Sequence, residues 1–424
     1  MLNAIVGINW GDEGKGRMVD LLSERMDVVV RFQGGNNAGH TVVNDKGKFI
    51  LNLLPSGILR ENVVNVMGNG VVIDLEHLCG EIGRLQEAGI SVTPEHLKIS
   101  DRAVICMPYH RQLDCLEEDR LKDAKFGSTR RGIAPVYGDK YMKKALRMGD
   151  LFDSNLKSRL QAIVEWKNLT VVGGYHADPI DAEEMYRWLE KFGGILKDYV
   201  CDTGDYLENA LARGRSVMLE AQLGALRDIE YGIYPYTTSS TTLAGYGPIG
   251  AGVPGRKLDR VIGVMKAYSS CVGEGPFTVE WFGEEAEALR KAGNEYGAAT
   301  GRPRRVGPFD AVASAYGVRV QGAGELALTK MDVLSYMEKI PVCTAYEIDG
   351  ERTKLFPVGE RLDRAKPVIE ELEGWQCDIS GCRTVEELPR AARAYVRALE
   401  ALVDCPITTV SVGAGREEYI KWKD

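Results

Sequence analysis

The chain has 424 residues, enough for one large domain or two to three ordinary ones. Its 44% hydrophobic and 27% charged residues are ordinary for a soluble globular protein, and a chain this long buries a large core without staples. A net charge of −8 argues against a nucleic-acid coat protein; any anionic substrate must be held by a local cluster of Lys and Arg, because the global field repels it.

The N-terminus opens directly on a segment that reads as a buried strand, Leu2 to Ile8, with no charged-then-apolar leader. Gly11, Gly14 and Gly16 then make a loop, Met18 to Arg25 reads as a helix with Met18, Leu21 and Leu22 on one side, and Asp27 to Phe32 is a second, Val-rich strand. Short apolar strands bridged by a helix predict an α/β fold, with a large, mostly parallel sheet covered by helices on both faces. Further strands are expected at Val63–Met67, Val171–Val172, Val217–Glu220, Leu326–Thr329, Val342–Tyr346 and Ile407–Val412. A helix follows Pro179, where Asp181 and Glu184 are spaced like a capping box; its apolar face is Met185, Trp188, Leu189, Phe192, Ile195, Leu196 and Tyr199. Another runs from about Leu388, with Tyr395, Val396, Leu399, Leu402 and Val403 in register. These stripes read as core packing. Residues 102–200 are richer in charge and helix signal, so the expectation is a single domain over 1–424 with a helix-rich insertion there. No repeat, low-complexity tract or clear linker is visible.

No apolar run approaches the roughly 20 residues that span a bilayer, so no membrane role is expected. Nine cysteines are scattered, none in a C-x-x-C pair, and an odd count argues against a complete disulfide framework. A reducing cytoplasm fits best. Asn168-Leu169-Thr170 matches a glycosylation acceptor by chance.

The most informative segment is Trp10-Gly11-Asp12-Glu13-Gly14-Lys15-Gly16-Arg17. Glycines after a strand let backbone N–H groups approach a phosphate, and the following helix N-terminus favours negative charge. Lys15 can neutralise a transferring phosphoryl group. The P-loop pattern G-x-x-x-x-G-K-S/T fails here, because Asn9 stands at its first glycine and Gly16 at its Ser/Thr. The dinucleotide pattern G-x-G-x-x-G fails on spacing. Alone, this loop reads as a charged surface turn. A second loop, Gln33-Gly34-Gly35-Asn36-Asn37-Ala38-Gly39-His40-Thr41, follows the second strand and therefore reaches the same sheet edge, where ligands of α/β sheets usually bind. His40, one of five histidines, can donate a proton or hydrogen bond to an oxyanion or phosphate.

These two loops resemble the pair found in adenylosuccinate synthetases. Further matches follow in order: Leu54-Pro55-Ser56-Gly57-Ile58, Gly68-Asn69-Gly70-Val71-Val72, Tyr234-Pro235-Tyr236-Thr237-Thr238-Ser239-Ser240, Lys266-Ala267-Tyr268 and Val272-Gly273-Glu274-Gly275-Pro276-Phe277. Asn294-Glu295-Tyr296-Gly297, Thr300-Gly301-Arg302-Pro303-Arg304-Arg305 and Thr329-Lys330-Met331-Asp332-Val333 complete the set, which covers essentially the whole chain.

The resemblance implies a P-loop-NTPase-like architecture without the standard phosphate motif, and a ligase that condenses IMP with L-aspartate at the expense of GTP. Asp12 would take the proton from ring nitrogen 1, so that the 6-oxygen attacks the γ-phosphate, with Lys15 and His40 stabilising the transfer. The aspartate amine would then displace phosphate from 6-phosphoryl-IMP, giving adenylosuccinate. One Mg²⁺ would be held by the Asp12 carboxylate and the Gly39 carbonyl. GTP would meet Gly11, Asp12, Glu13, Gly14, Lys15, Gly16, Gly39, His40, Thr41 and Arg304, with Lys330, Met331, Asp332, Ser411 and Gly413 at its guanine. IMP would meet Asp12, Asn37, Ala38, Gly39, His40, Thr129, Lys143, Gln222, Leu223, Thr238, Val272 and Arg302. L-Aspartate would be held by Thr300, Gly301, Arg302 and Arg131, since guanidinium–carboxylate pairing suits a dicarboxylate. Without the resemblance, Arg302, Arg304 and Arg305 would read as a solvated basic turn. A homodimer is expected if Lys143 reaches across an interface, as the Arg usual at that position does.

Several residues depart from the family pattern. With register fixed on Glu220 and Asp228, Leu223 stands where a substrate-contacting Gln is usual, and Gln222 comes one place early, so its side chain would point elsewhere in an extended segment. Arg130 replaces a Gly at a phosphate-binding turn, and Lys143 replaces an Arg. Asn9, Arg17 and Ala299 replace a usual Gln, Lys and Thr. Two alternatives stay open: a paralogue acting on another purine nucleotide or amino acid, and a GTP-binding regulatory protein without ligase activity.

Overall fold

Ten strands form one sheet: β1 (Leu2–Gly7), β2 (Val28–Arg31), β3 (Val64–Met67), β4 (Leu97–Ser100), β5 (Val200–Cys201), β6 (Val217–Gly224), β7 (Arg260–Lys266), β8 (Glu325–Thr329), β9 (Ile407–Ser411) and β10 (Tyr419–Lys421). This is a computed structural model, which describes residues 1–37, 39–44, 47–297 and 301–423. The strand order is β10-β9-β8-β7-β1-β6-β2-β3-β4-β5. Every pairing is parallel except β9 with β10. The mostly parallel α/β fold expected from the sequence is what forms. Strand alternation divides the side chains: Ala4, Val6, Val28, Val30 and Leu219 pack on one face, and Ile5, Val29 and Met218 pack with Met18 and Val19 on the other.

The first helix, α1, spans Lys15–Leu22 and so begins three residues before the sequence pattern suggested. Gly14, left-handed at φ 94°, turns the chain directly into it. Helices fill the stretch between β4 and β5: α2 (Pro108–Leu121), α3 (Ile133–Met142), α4 (Leu156–Gly173) and α5 (Ala182–Trp188). Asp181 caps α5 by accepting from the Glu183 and Glu184 amides. Asp139 of α3 joins these helices in a buried cluster, hydrogen-bonded to His110 of α2 and ion-paired with Lys167 of α4.

Two expectations need correcting. Val171 and Val172 lie in α4, not in a strand; Leu156, Leu160, Ile163, Val164, Lys167 and Val171 form its buried stripe, and helical packing overrides the β preference of the Val pair. Val342–Tyr346 is a strand, but it belongs to Lys339–Ile348 in a separate four-stranded sheet with Phe309–Asp310, Glu351–Thr353 and Lys366–Glu373. The C-terminal helix, α6, spans Arg390–Val403 and buries Tyr395, Val396, Leu399 and Val403 as expected. Among the described residues no helix is long and apolar enough to cross a membrane, and all nine cysteines are free thiols.

Candidate active site

The loops after β1, β2, β6, β8 and β9 leave the same edge of the sheet. The β1 loop is shaped from within. Gly11 and Asp12 both have positive φ, 103° and 58°. The buried Glu13 carboxylate accepts from the Asn9 amide at 3.1 Å and the Gly11 amide at 2.8 Å, and pairs with Lys15 Nζ at 2.6 Å. A Cβ on Gly7 would lie 2.6 Å from that carboxylate, so the turn needs glycine there. Glu13 is therefore committed to the loop, and Lys15, almost fully buried, is aimed by it.

The β2 loop packs directly on this one. A Cβ on Gly16 would lie 2.8 Å from the Cβ of His40. His40 Nδ1 sits 2.5 Å from Glu220 Oε1, and Glu220 also accepts from the Ser56 amide and hydroxyl, at 2.8 and 2.6 Å. Burial holds the His40 imidazole below the usual histidine range, against the pull of Glu220. Burial would raise the Glu220 carboxyl, but His40, Arg31 and Ser56 outweigh it and keep it low. The Nδ1 side of His40 is thus occupied, which leaves Nε2, unpaired among the described residues, as its working nitrogen.

Gln222 is fully buried. Its side chain accepts from the Gly35 amide and donates to the Gly35 carbonyl, both at 3.0 Å. Gln222, expected to meet IMP, thus has each end of its amide bonded to the β2 loop. The pairing of β1 with β6 jumps from Ile5↔Glu220 to Gly7↔Gly224, a bulge that holds Gln222 and Leu223. Leu223 adopts φ 63° and lays its Cδ2 3.3 Å from where a Gly11 Cβ would be. An apolar side chain, not an amide, therefore covers the β1 loop. Gln33 Nε2 donates to Gln222 O at 2.6 Å, and the Gly34 amide donates to Tyr137 Oη at 2.9 Å, so the β2 loop is braced on two sides. Asn37 and Gly39 are half-buried at its tip, Thr41 is exposed, and Ala38 lies outside the described residues.

A second charged centre sits under the aspartate-loop candidates. The fully buried Glu295 accepts from Lys266 Nζ at 2.8 Å, from Arg304 Nη1 at 2.8 Å and from the Tyr268 hydroxyl. Burial alone would raise the Glu295 carboxyl, but Lys266, Arg304 and Lys330 outweigh it and hold it at about 2. Arg304 Nε reaches Asp12 Oδ2 at 3.3 Å. Arg302 is two-thirds exposed at the loop tip, 3.5 Å from the Glu274 carboxylate. Gly301, at φ 64°, donates to Gly297 O at 2.8 Å; Ala299 and Thr300 lie outside the described residues. Arg305 instead pairs with Glu280 and donates to the Gly275 carbonyl. Arg227 binds the same segment from the other side, through the Val272 and Glu274 carbonyls. Val272 itself is half-exposed.

Beyond β8, Lys330 takes a left-handed turn and donates to the Gly293 carbonyl at 2.7 Å; burial lowers its pKa. Met331 is buried, whereas Asp332 is half-buried and raised by burial. The buried Ser411 and half-buried Gly413 open the β9 loop. Thr238 is nearly buried, its amide bonded to the Arg227 carbonyl at 2.9 Å. Thr129 is exposed and Arg131 half-buried. Arg130, between them, has φ 57°, a left-handed backbone that glycine adopts more readily than Arg. Lys143 caps the C-terminus of α3, exposed and left-handed. Sequence reasoning missed Glu220 and Glu295, the buried carboxylates that hold His40 and Arg304. A carboxylate directly after an apolar run, as Glu220 is after Val217–Leu219, was the available signal.

The family model for adenylosuccinate synthetase matches residues 4–420. An adenylosuccinate synthetase of Lactococcus lactis subsp. lactis (strain IL1403) is 46% identical over 417 residues, 98% of this chain and 96% of that protein. A solved structure of fully ligated adenylosuccinate synthetase from Plasmodium falciparum superimposes with a TM-score of 0.93 at 35% identity, covering 99% of each chain. Cyanophage S-2L succinoaminodeoxyadenylate synthetase, bound to dGMP and to dATP as an energy donor, shares the fold alone, with a TM-score of 0.63 at 19% identity over 100% of this chain and 95% of that one. On the match across its length and the likeness of its fold, the chain belongs to the adenylosuccinate synthetase family.

Proposed function

We propose that this chain is a GTP-dependent ligase that condenses IMP with L-aspartate to give adenylosuccinate, GDP and phosphate. The observation that carries the reading is the junction of the β1 and β2 loops, which sets Asp12, Lys15 and His40 on one sheet edge with His40 fixed by Glu220. Asp12 accepts the proton from ring nitrogen 1, and the 6-oxygen attacks the γ-phosphorus while GDP leaves. With Nδ1–H held by Glu220, His40 donates from Nε2 as the imidazolium, the form that the arriving phosphoryl charge favours, and Lys15 offsets the charge on those oxygens. The aspartate amine then attacks carbon 6, and phosphate departs with the 6-oxygen.

The donor chemistry beside Asp12 fits a magnesium ion. Among the described residues there is no group of three or more His, Cys, Asp and Glu side chains placed to hold a metal ion. Magnesium is ordinarily held through one or two carboxylates completed by phosphate oxygens and water, which the Asp12 carboxylate and the Gly39 carbonyl suit. When bound, the ion would offset charge on the β- and γ-phosphates. Lys330 and Asp332 hold the guanine, with Ser411 and Gly413 closing over it. Arg302 holds the aspartate carboxylates with Gly301 and Thr300, and Arg131 stands nearby. Asn37, Thr129 and Thr238 take the IMP phosphate, and Lys143 reaches it from a second copy of the chain in a homodimer. The whole chain acts as one domain, with residues 102–200 as its helical insertion.

Leu223 favours a second reading, a preference for a purine other than IMP, because an apolar side chain stands where a polar contact to the 6-oxygen is usual. Product analysis with IMP and competing purine monophosphates separates the two. Succinylated IMP as the main product supports the first reading, and faster consumption of another purine sinks it.

A further inference from the structure

We infer that Arg17 and Arg416 form a two-way latch between the phosphate-loop helix and the loop that closes the base pocket, making Arg17 a specificity-determining positioning residue for the nucleoside triphosphate. The inference rests on the reading of Asp332 as the group that holds guanine. The latch is drawn from both sides. From α1, Arg17 Nη2 donates to the Gly415 carbonyl at 2.6 Å and the Glu418 carbonyl at 3.0 Å, and Nη1 donates to the Ser411 hydroxyl. From the loop, Arg416 returns a fork to the Asp20 carboxylate, with Nε and Nη2 both at 2.8 Å. Arg17 and Asp20 are three residues apart and share one face of α1.

The loop is already closed on itself. Glu418 Oε2 accepts from the Gly415 amide at 2.5 Å, the Val412 amide donates to the Glu418 carbonyl at 2.9 Å, and the Ser411 hydroxyl donates to Gly413 O at 3.1 Å. Such a loop moves as one piece, so what matters is how it is aimed. The other end of the latch is rigid, because Met18 and Val19 pack under the sheet and Asp20 is also bonded by Arg60 through its carbonyl. The base loop is thereby held at a fixed distance from Gly14 and Lys15, where the phosphates are expected. A planar guanidinium can serve acceptors at both ends of the loop at once; the ammonium of Lys, usual at position 17 in the family pattern, lacks that fork. The charge of Arg17 also faces Asp332 and Glu418.

The test compares wild type with Arg17→Met, Arg17→Lys, Arg416→Met and Asp332→Asn, using GTP and ITP, which lacks the exocyclic amine. Arg17→Met and Arg416→Met are expected to raise KM for GTP by about tenfold and to narrow the GTP-over-ITP preference. KM for IMP and for aspartate should stay within about twofold, and Arg17→Lys should fall between wild type and Arg17→Met. Asp332→Asn should itself erase the preference. If it does not, the base reading fails and the latch with it. If Asp332→Asn erases the preference while Arg17→Met keeps the wild-type KM and selectivity, the base reading stands and the latch is overturned. A parallel rise in all three KM values, with a lowered melting temperature, also overturns it.

Discussion

Arg304 joins two carboxylates of opposite setting: its Nε lies 3.3 Å from Oδ2 of the partly exposed Asp12, and its Nη1 donates to the fully buried Glu295 at 2.8 Å. The buried end anchors the guanidinium, so Asp12 faces a cation that cannot drift away. Replacing Glu295 by Gln strands Lys266 and Arg304 without their shared anion. Breaking a buried pair of this kind costs about 3 to 5 kcal/mol. The pH dependence has a defined sign. The folded carboxyl, at about 2, lies below its ordinary 4.5. Its contribution is therefore complete above pH 4.5 and is lost as pH falls toward 2. Thermal melts should show Glu295→Gln well below wild type at pH 7, with the gap closing through that acidic window. A gap independent of pH would contradict the assignment.

His40 has one nitrogen spent on Glu220 and one left for chemistry. His40→Ala is expected to lower kcat by roughly a hundred- to ten-thousand-fold, the usual range for a positioned general acid. IMP binding, measured by calorimetry, should change little by comparison. An equal loss in binding and turnover would mean that the imidazole only shapes the pocket.

Gln222 is a brace, and its removal should be felt as stability. Gln222→Ala removes both bonds to Gly35, leaving its carbonyl without the Gln222 donor and its amide with only the longer bond to Asn37 Oδ1 at 3.3 Å, at a cost of about 1 to 3 kcal/mol. Gly34→Ala should be worse, because its Cβ would lie 1.6 Å from the Gln222 amide oxygen at a backbone φ of 82°. Chemical denaturation of both variants gives the order, and a Gly34→Ala protein as stable as wild type would refute the packing described.

Arg302 and Arg305 are neighbours in sequence with different tasks. Arg302 is at the exposed loop tip, whereas Arg305 is bonded to Glu280 and the Gly275 carbonyl. Arg302→Ala should raise KM for aspartate by about tenfold or more with little change in melting temperature. Arg305→Ala should lower the melting temperature. Steady-state kinetics beside calorimetric melts separate the two, and an exchange of the two phenotypes would reverse the roles.

The two glycine loops were legible because their chemistry is local: glycine, Asp, Lys and His directly after apolar strands. The strand order placed them together, as the parallel pattern implied. What stayed hidden depends on tertiary contact. Nothing local marks Gln222 as bound to Gly35, since the bulge that turns it there exists only when β6 pairs with β1. The Val171–Val172 pair favours a strand by itself, and only the buried stripe of an 18-residue helix reverses that. Glu295 lies within a recognisable motif with Arg304 nine residues on, yet its other two cationic neighbours, Lys266 and Lys330, come from the ends of two different strands.

The central claim is that GTP is consumed only to activate IMP for attack by aspartate. GDP formation should be followed with Mg²⁺ and GTP in the presence of IMP and L-aspartate, and again with each omitted in turn. The account predicts GDP, phosphate and adenylosuccinate in equal amounts with the complete mixture, and no sustained turnover when either is left out. Steady GDP release without IMP, or none with all substrates present, would contradict it.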